Sequence, residues 1–205
     1  MTLSGRFANQ LAPTSGLSKG LLGQMMDAAN AYPMQLAVAA LKPKRGERIL
    51  DAGCGTGAAL ALARAAADCQ LYGTDSSEDM ISVARKRLGA DATLACGAIE
   101  DRLHLDWQPF DGILALNMLY FAAPDGAMAG ALREALRPGG RLVAYVTHRQ
   151  GSERWRLSDA GRHQLFDASD LEGALMQGGF APESISIVQQ DVAPGIRGLI
   201  ARAER

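Results

Sequence analysis

The sequence predicts an α/β fold with a doubly wound sheet of seven strands, mostly parallel, whose last strand is antiparallel. Short apolar segments alternate with helical patterns between residues 48 and 146, which is typical of a parallel sheet covered by helices on both faces. The tail then holds two strand-like segments joined by a connection that contains Pro194-Gly195. Because that connection is short, the two tail strands must be antiparallel neighbours.

Turn residues separate the predicted elements. Pro138-Gly139-Gly140 ends one helix and leads into the fifth strand, and Gly178-Gly179 follows the last helix. The predicted strands are Arg48–Asp51, Gln70–Gly73, Thr93–Cys96, Gly112–Leu116, Arg141–Val146, Ser184–Val188 and Gly198–Ala203. The predicted helices of the core are Ala58–Ala67, Ser77–Leu88, Gly126–Leu136 and Ala168–Gln177.

Two more helices are predicted before the first strand, over Ser18–Asn30 and Pro33–Leu41. Proline at position 33 suits the first turn of a helix, because its missing N–H would have no partner there. We expect an N-terminal arm and helical cap over residues 1–41 and a core over residues 42–205. A chain of 205 residues is long enough for one domain.

Composition argues against several classes of partner. The chain is 48% hydrophobic and 21% charged with a net charge of −1, so nothing draws it generally toward nucleic acid or anionic membrane. No stretch approaches the roughly 18 apolar residues of a membrane span. The first 20 residues lack a basic region followed by an apolar segment. We therefore expect no nucleic-acid partner, no membrane span and a cytoplasmic location.

The most informative segment is residues 49–57, with the sequence ILDAGCGTG. An apolar strand end leads into Asp51, and glycines follow at positions 53, 55 and 57. Glycine permits positive φ and leaves no Cβ between the backbone and a ligand. The unpaired N–H groups of the helix that follows point back into this turn. The segment therefore predicts a loop that binds a small polar ligand against bare backbone.

Two classes of ligand fit this loop. Gly53, Gly55 and Ala58 satisfy the dinucleotide pattern G-x-G-x-x-G/A, which on its own is a weak signal. The alternative is a nucleoside that carries an amino-acid tail, as in S-adenosylmethionine. Asp51 would repel a pyrophosphate and attract an ammonium group, so the sign of the charge favours the amino-acid tail.

Four segments make the chain similar to the class I S-adenosylmethionine-dependent methyltransferases. They are ILDAGCGTG, LYGTDSSEDMISVARKRL, FDGILALNMLYF and ALREALRPGGRLVAYV, and they lie between about residues 47 and 146. The chain resembles the small-molecule branch of this family, which includes quinone-biosynthesis methyltransferases. The resemblance implies a Rossmann-like sheet, S-adenosylmethionine as cofactor and S-adenosylhomocysteine as its product.

The resemblance also implies which residues bind the cofactor. Asp75 ends the second strand, where the family's carboxylate accepts both ribose hydroxyls. Asn117 follows the fourth strand, where the family's backbone approaches the cofactor's amino group. The residues that stand where the family holds the methionine end are Asp51, Gly53, Gly55 and Gly57.

The adenine-binding positions depart from the family pattern. Ser76 replaces the apolar residue that usually follows the ribose-binding acid, and Ala98 replaces an acid that usually follows the third strand. Ile99 is the candidate for packing on the base and for a backbone N–H to it. Met80 completes the predicted set of cofactor-binding residues.

Methyl transfer from a sulfonium depends mainly on alignment, since the cofactor carries the reactivity. Residues that could bind or deprotonate the methyl acceptor follow the carboxyl ends of strands. His148 is the candidate general base or a solvated loop residue, and Tyr120 is a candidate catalytic residue or part of the wall. Arg154, Trp155 and Arg156 are candidate contacts for an anionic or aromatic acceptor, or they belong to a solvated loop with one buried tryptophan. His104 and His163 lack partners at metal-ligand spacing, so no metal is expected.

The sequence thus favours an enzyme that methylates a small organic acceptor. Three other functions stay open: a nicotinamide-dependent oxidoreductase, a cofactor-binding protein without transferase activity, and an RNA or protein methyltransferase. Asp51 and the antiparallel tail argue against the oxidoreductase. The changed residues Ser76 and Ala98 keep the second function open.

Overall fold

A computed structural model describes residues 19–99, 107, 109–150 and 164–205. The strands are β1 Arg48–Ala52, β2 Gln70–Asp75, β3 Ala92–Cys96, β4 Phe110–Leu116, β5 Leu136–Thr147, β6 Ile185–Ala193 and β7 Ile196–Glu204. The α-helices are α1 Lys19–Leu41, α2 Ala58–Ala66, α3 Glu78–Leu88, α4 Ala127–Ala135 and α5 Ala168–Gln177. Short 3-10 helices cover Gly89–Asp91, Leu119–Phe121 and Pro182–Ser184.

The strands form one seven-stranded sheet in the order β3-β2-β1-β4-β5-β7-β6. Strands β1 to β5 pair in parallel, whereas β7 is antiparallel to both β5 and β6. The predicted fold class is confirmed. The strand order reverses between β1 and β4, and in such sheets the carboxyl ends of the strands at this point form the ligand-binding crevice.

Each face of the sheet carries an apolar cluster, because neighbouring residues of a strand point to opposite faces. Ile49 of β1 belongs to the cluster that includes residues of α1, α2 and α3. Leu50, the next residue, belongs to the cluster that includes residues of α4 and α5. Helix α1 therefore packs on the same face as α2, the helix that follows the glycines at positions 53, 55 and 57.

The N-terminal helical cap is one continuous helix, so the predicted break at Pro33 is wrong. Pro33 lies inside α1 and is buried. The proline removes the hydrogen bond to the carbonyl of Ala29, which is an exposed residue that water can solvate. Ala37 and Leu41 are fully buried in the core, and this packing holds the last turns of α1 in line with the first.

The segment Pro138-Gly139-Gly140 lies inside β5. The prediction that it separates a helix from a strand is wrong. Helix α4 ends one residue before the predicted Leu136. Gly139 and Gly140 pair with the backbone of Arg205 through hydrogen bonds of 2.8 and 2.9 Å. The register of β5 against β4 shifts at this end, which is where a strand tolerates proline.

A buried arginine joins the elements at the amino end of the sheet. The Arg141 side chain is 8% exposed and forms an ion pair with Glu47 at 2.6 Å. It also donates hydrogen bonds to the carbonyl oxygens of Leu41, Lys42 and Asp111. The end of α1 is thereby tied to the start of β1 and to β5, because carbonyls at a helix end lack intrahelical partners.

Among the described residues, none of the helices combines the length and apolar character that a membrane crossing needs.

Candidate functional site

The glycine-rich turn, residues 53–57, follows β1 at the point where the strand order reverses. The N–H groups of Gly53 and Cys54 both donate to the carbonyl oxygen of Thr74, each at 2.8 Å. Gly57 closes the turn by donating to the Cys54 carbonyl at 2.8 Å. The turn is therefore fixed to the end of β2, beside Asp75.

The three glycines of the turn have positive φ angles of 76°, 51° and 77°, but they have different surroundings. A Cβ on Gly53 would collide with the thioether of Met118, and one on Gly57 would lie 2.9 Å from Leu88 of α3. A Cβ on Gly55 would meet nothing within 4 Å. Gly55 is therefore the glycine of this turn that presents bare backbone to open space.

Asp75 ends β2 and is bound to the turn. Its Oδ2 accepts the N–H of Gly55 at 2.8 Å, and its Oδ1 accepts the N–H of Ser77 at 2.9 Å. Burial raises the pKa of Asp75, and these two hydrogen bonds oppose that rise. Each carboxylate oxygen can accept a second hydrogen bond, which suits the predicted pair of ribose hydroxyls.

Asp51 is buried at 2% exposure near the carboxyl end of β1. Its Oδ1 has no hydrogen-bond partner among the described residues. Burial, together with the nearby charge of Asp75, raises the pKa of Asp51 to about 8. A buried carboxylate without a partner is unfavourable, and a cationic ligand group would supply the missing hydrogen bond and charge. The residue therefore fits the ammonium group that the sequence predicts.

Asn117 follows β4 with a φ of 57°, which is rare for a residue other than glycine. Its N–H donates to the carbonyl of Tyr145 at 2.9 Å. Its side-chain amide donates to Oδ1 of Asn30 in α1 at 3.0 Å. The residue predicted near the cofactor's amino group thus also contacts the N-terminal helix.

The four predicted adenine-side residues differ in exposure. Ser76 is exposed, whereas Met80 and Ala98 are half-buried. The Met80 thioether faces α1, about 4.0 Å from where a Cβ on Gly23 would lie. Ile99 is 3% exposed and packs in the core cluster with Leu50 and Ala115. Its side chain is committed to that packing, so a contact with the base would come from its backbone.

Tyr120 and His148, the two catalytic candidates, each accept a hydrogen bond from a backbone N–H. The Tyr120 hydroxyl accepts the N–H of Thr147, and burial raises the pKa of Tyr120 to about 12, so it is a weak acid. His148 follows β5, and its Nδ1 accepts the N–H of Gln150 at 3.2 Å. The neutral imidazole therefore carries its proton on Nε2. His104, Arg154, Trp155, Arg156 and His163 lie outside the described residues.

The sequence interpretation missed three polar residues at this site, and it did not recognise that Met118 packs against Gly53. Asp27 and Asn30 lie one turn apart on α1, and Arg87 lies at the end of α3. Their partners are 60 and 87 positions away along the chain. The spacing of Asp27 and Asn30 on one helical face was the available signal, and it does not identify the partners.

The comparisons with known proteins agree with this geometry. Residues 49–140 match the family described as methyltransferase domain. A ubiquinone biosynthesis O-methyltransferase from Xylella fastidiosa is 32% identical over 160 residues, which cover 70% of this chain and 65% of that protein. The chain spans about 60 to 65% of the length of such curated relatives.

Two solved structures share the fold. One comes from the complex between the Haloferax volcanii Trm112 methyltransferase activator and a methyltransferase. Its TM-score is 0.74 at 17% sequence identity, and the alignment covers 92% of this chain and 96% of that one. The other is a phosphoethanolamine N-methyltransferase from Haemonchus contortus in complex with S-adenosyl-L-methionine, with a TM-score of 0.68, 16% identity, and coverage of 85% and 52%. These two structures show the shared fold alone. The family match and the 32% identical relative show that residues 49–140 form a methyltransferase domain of the class I S-adenosylmethionine-dependent kind.

Proposed function

We propose that this chain is an S-adenosylmethionine-dependent methyltransferase that acts on a small organic acceptor. The observation that carries the proposal is the buried Oδ1 of Asp51, which has no partner among the described residues and stands at the head of the glycine-rich turn. The diphosphate of a nicotinamide cofactor would meet a buried acid at this place. An ammonium group would be stabilised there.

The residues around the turn suit the parts of that cofactor. Asp51 would hold the ammonium group, the backbone at Gly55 would lie against the ligand, and Asp75 would accept the ribose hydroxyls through the second lone pairs of its two oxygens. Asn117 would lie at the methionine end. When bound, the cofactor supplies an electrophilic methyl group on a sulfonium; the chain orients that group and excludes water from it.

On the acceptor side, we propose different roles for the two candidates. Tyr120 holds the backbone of Thr147 through its hydroxyl and forms part of the wall, because a phenol with a pKa of about 12 is a poor proton carrier near neutral pH. His148 is the candidate base, and it must give up its hydrogen bond with Gln150 to accept a proton on Nδ1. A base is needed where the acceptor loses a proton before transfer.

The small size of the acceptor is supported by the relative and by one of the two neighbours, whose names refer to ubiquinone biosynthesis and to phosphoethanolamine. The absence of a nucleic-acid partner, the cytoplasmic location and the single domain over residues 1–205 stay predictions from the sequence.

A turnover assay tests the proposal. The purified chain would be incubated with S-adenosylmethionine and with a panel of phenols, carboxylates and amines, and formation of S-adenosylhomocysteine would be measured. We expect acceptor-dependent formation of S-adenosylhomocysteine with at least one class of acceptor, and its loss in Asp75→Asn. Tight cofactor binding without turnover for any class would instead support a cofactor-binding protein. His148→Asn should lower kcat only for acceptors that must be deprotonated.

A further inference from the structure

The register between β5 and β7 continues for one pair beyond the end of β5. Thr147, the last residue of β5, lies opposite Gly198. In the next pair, the N–H of His148 donates to the carbonyl of Arg197 at 2.9 Å. Side chains of directly opposite residues point to the same face of a sheet, with Cβ atoms about 5 Å apart. The side chains of His148 and Arg197 therefore leave the sheet next to each other, at the carboxyl end of β5.

Gln150 contacts both of these side chains. Its N–H donates to Nδ1 of His148 at 3.2 Å, and its side-chain Oε1 accepts from Nη2 of Arg197 at 2.7 Å. Gln150 and Arg197 are both exposed, and a guanidinium has five N–H donors, of which this bond uses one. A neutral, water-exposed amide thus holds a cation beside the candidate base.

The charge of Arg197 is not balanced by a carboxylate within the described part of the chain. Asp191 lies opposite Arg197 in the register of β6 and β7, but the two side chains form no ion pair. Arg202, on the same strand, pairs with Glu204 at 2.6 Å. A guanidinium and an oxyanion form two parallel hydrogen bonds between opposite charges, which are stronger than one bond to a neutral amide. An oxyanion would therefore displace the Gln150 amide from Arg197.

The position of this pair in the sheet places it on the acceptor side of the site. Asn117, which is predicted to lie near the amino group of the cofactor, donates its N–H to the carbonyl of Tyr145 at 2.9 Å. His148 comes three residues after Tyr145, which is about 10 Å along an extended strand. An acceptor between these two points has its reacting atom within reach of His148. Because β7 lies beyond β5 from β4, a group bound by Arg197 lies on the far side of His148 from the cofactor.

Aromatic side chains line the other edge of the same segment. Phe166 forms a parallel bridge with His148 and is buried in the core. The ring of Tyr120 is 6.1 Å from that of Phe166 and 6.5 Å from that of Phe121, which is 42% exposed. This row of three rings runs from the core to the surface beside His148. It suits an acceptor with an aromatic or apolar body.

We propose that Arg197 anchors an oxyanion of the methyl acceptor, either a carboxylate or a phosphate monoester, attached to an aromatic or apolar body. The proposal rests on the proposed function, because it specifies the acceptor of that reaction. The guanidinium exchanges the Gln150 amide for the oxyanion and so holds the reacting atom toward the cofactor. The bound oxyanion also stabilises the imidazolium that forms when His148 accepts a proton. Arg197 is thus a specificity-determining residue, and it does not touch the reacting atom.

The first test measures binding without turnover. Benzoate, phenyl phosphate and the neutral methyl benzoate would be titrated into the chain with S-adenosylhomocysteine present, while the Cε1–H signals of its three histidines are followed by NMR. His148→Asn identifies the signal of His148 by its disappearance. We expect that signal to shift saturably with benzoate, phenyl phosphate or both, and not with methyl benzoate. Benzoate alone would identify the anchored group as a carboxylate, and phenyl phosphate alone as a phosphate monoester.

Arg197→Gln should weaken oxyanion binding in this titration roughly ten- to a hundredfold, as expected for the loss of hydrogen bonds between charged groups. The backbone bond from His148 to residue 197 is kept in this variant, so the reporting side chain stays in place. Arg202→Gln is the matched control, because it removes an arginine from the same strand, and it should bind like the unmodified chain. A His148 signal that no oxyanion shifts, or equal affinity in Arg197→Gln, would overturn the proposal.

The second test compares each acid that the chain methylates with its neutral ester. We expect kcat/KM to be at least about tenfold higher for the acid, and Arg197→Gln to remove this preference by raising KM with little change in kcat. Gln150→Ala should instead lower the KM of the acid, by up to about threefold, because the amide no longer competes for Arg197. A rise in KM in Gln150→Ala as large as that in Arg197→Gln would overturn the proposal, since it would show that the pair is only structural.

The failure of each proposal has its own signature. An unmodified chain that does not bind S-adenosylhomocysteine would refute the proposed function. A chain that binds it and methylates acids and their neutral esters equally well would refute the anchor at Arg197 alone. Methylation confined to acceptors without an oxyanion would also refute the anchor and leave the proposed function standing.

Discussion

The N–H of Gly55 donates a 2.8 Å hydrogen bond to Oδ2 of Asp75. This bond joins the glycine whose backbone faces open space to the acid at the end of the neighbouring strand. Both residues are predicted to contact the cofactor, and each fixes the position of the other. A change at either residue should therefore affect ligand binding more than it affects the stability of the fold.

Asp75→Asn should weaken binding of S-adenosylhomocysteine roughly 30- to 150-fold, which corresponds to about 2 to 3 kcal/mol for hydrogen bonds to a charged acceptor. The amide retains one acceptor oxygen, so it cannot accept from both hydroxyls and both backbone N–H groups. Isothermal calorimetry measures the change. Asp68→Asn is the control, because Asp68 is 85% exposed in an ion pair with Arg45. Equal affinities in the two variants would contradict the assignment of Asp75.

Gly55→Ala and Gly46→Ala form a matched pair. Both glycines have positive φ, 51° and 80°, and a Cβ on either would meet nothing within 4 Å. Both changes should lower the free energy of unfolding by about 1 to 2 kcal/mol, because residues with a Cβ are strained in this region. We expect a loss of S-adenosylhomocysteine binding of at least about tenfold only in Gly55→Ala, where the new methyl group faces the ligand. A comparable loss in Gly46→Ala would mean that strain and not ligand contact is responsible.

Cofactor binding should be coupled to a proton. At pH 7 most of Asp51 is protonated, because burial and Asp75 raise its pKa to about 8, and an ammonium group beside it would favour the ionised form. Binding should release about one proton, and affinity should rise up to roughly tenfold per pH unit between pH 6 and pH 8. Calorimetry in phosphate and in Tris buffers measures the proton. Binding heats that are independent of the buffer would count against this role of Asp51.

The same group makes a stability prediction for the ligand-free protein. Unfolded Asp51 titrates near 3.8 and folded Asp51 near 8. Between these values the folded state holds a proton that the unfolded state has lost, so stability falls as pH rises through this window. Asp51→Asn removes that dependence. The melting temperature of the variant should therefore rise relative to that of the original chain from pH 5 to pH 8. Above pH 8 the difference between the two melting temperatures should stay constant.

The general architecture was predictable because it depends on local pattern. Strand–helix alternation and the turn at Pro194-Gly195 define a parallel sheet with an antiparallel hairpin, and the structure has both. Pro33 misled the interpretation because local propensity indicates a helix start. The burial of Ala37 and Leu41 is a tertiary effect that a single sequence does not display.

The glycine-rich motif of the candidate site was predictable from the sequence, but the contacts of α1 and α3 beside it were not. Gly55 follows from the spacing of the glycines after the first strand, and Asp75 follows from the resemblance to the family. The partners Asp27 and Arg87 are 60 positions apart and meet only because α1 and α3 pack on the same face. The missing Cβ of Gly57 also makes room for Leu88 of α3, which the sequence did not indicate; the contact of Gly57 with the cofactor stays a prediction.

The amino end of the sheet provides a stability test that is separate from the site. Arg141→Met should lower the free energy of unfolding by about 3 to 5 kcal/mol, because Glu47 would be left as a buried, unpaired charge and three carbonyl oxygens would lose a donor. Urea denaturation measures this. Arg45→Met, at an ion pair with side chains 88% and 85% exposed, should change stability by less than about 0.5 kcal/mol. Similar losses in both variants would contradict this account of Arg141.

The folded Arg141→Met variant should bind S-adenosylhomocysteine as the original chain does, because Arg141 lies at the opposite end of the sheet from the glycine-rich turn. This comparison distinguishes a loss of folding stability from a loss of ligand binding.

The central claim is that the buried acid and the glycine-rich turn form a site for a nucleoside with an amino-acid tail. Calorimetric titration of the purified chain with S-adenosylhomocysteine, and with NADH in parallel, tests it most directly. We predict saturable binding of S-adenosylhomocysteine at one site per chain and no heat from NADH beyond dilution. Binding of NADH without binding of S-adenosylhomocysteine would contradict the account.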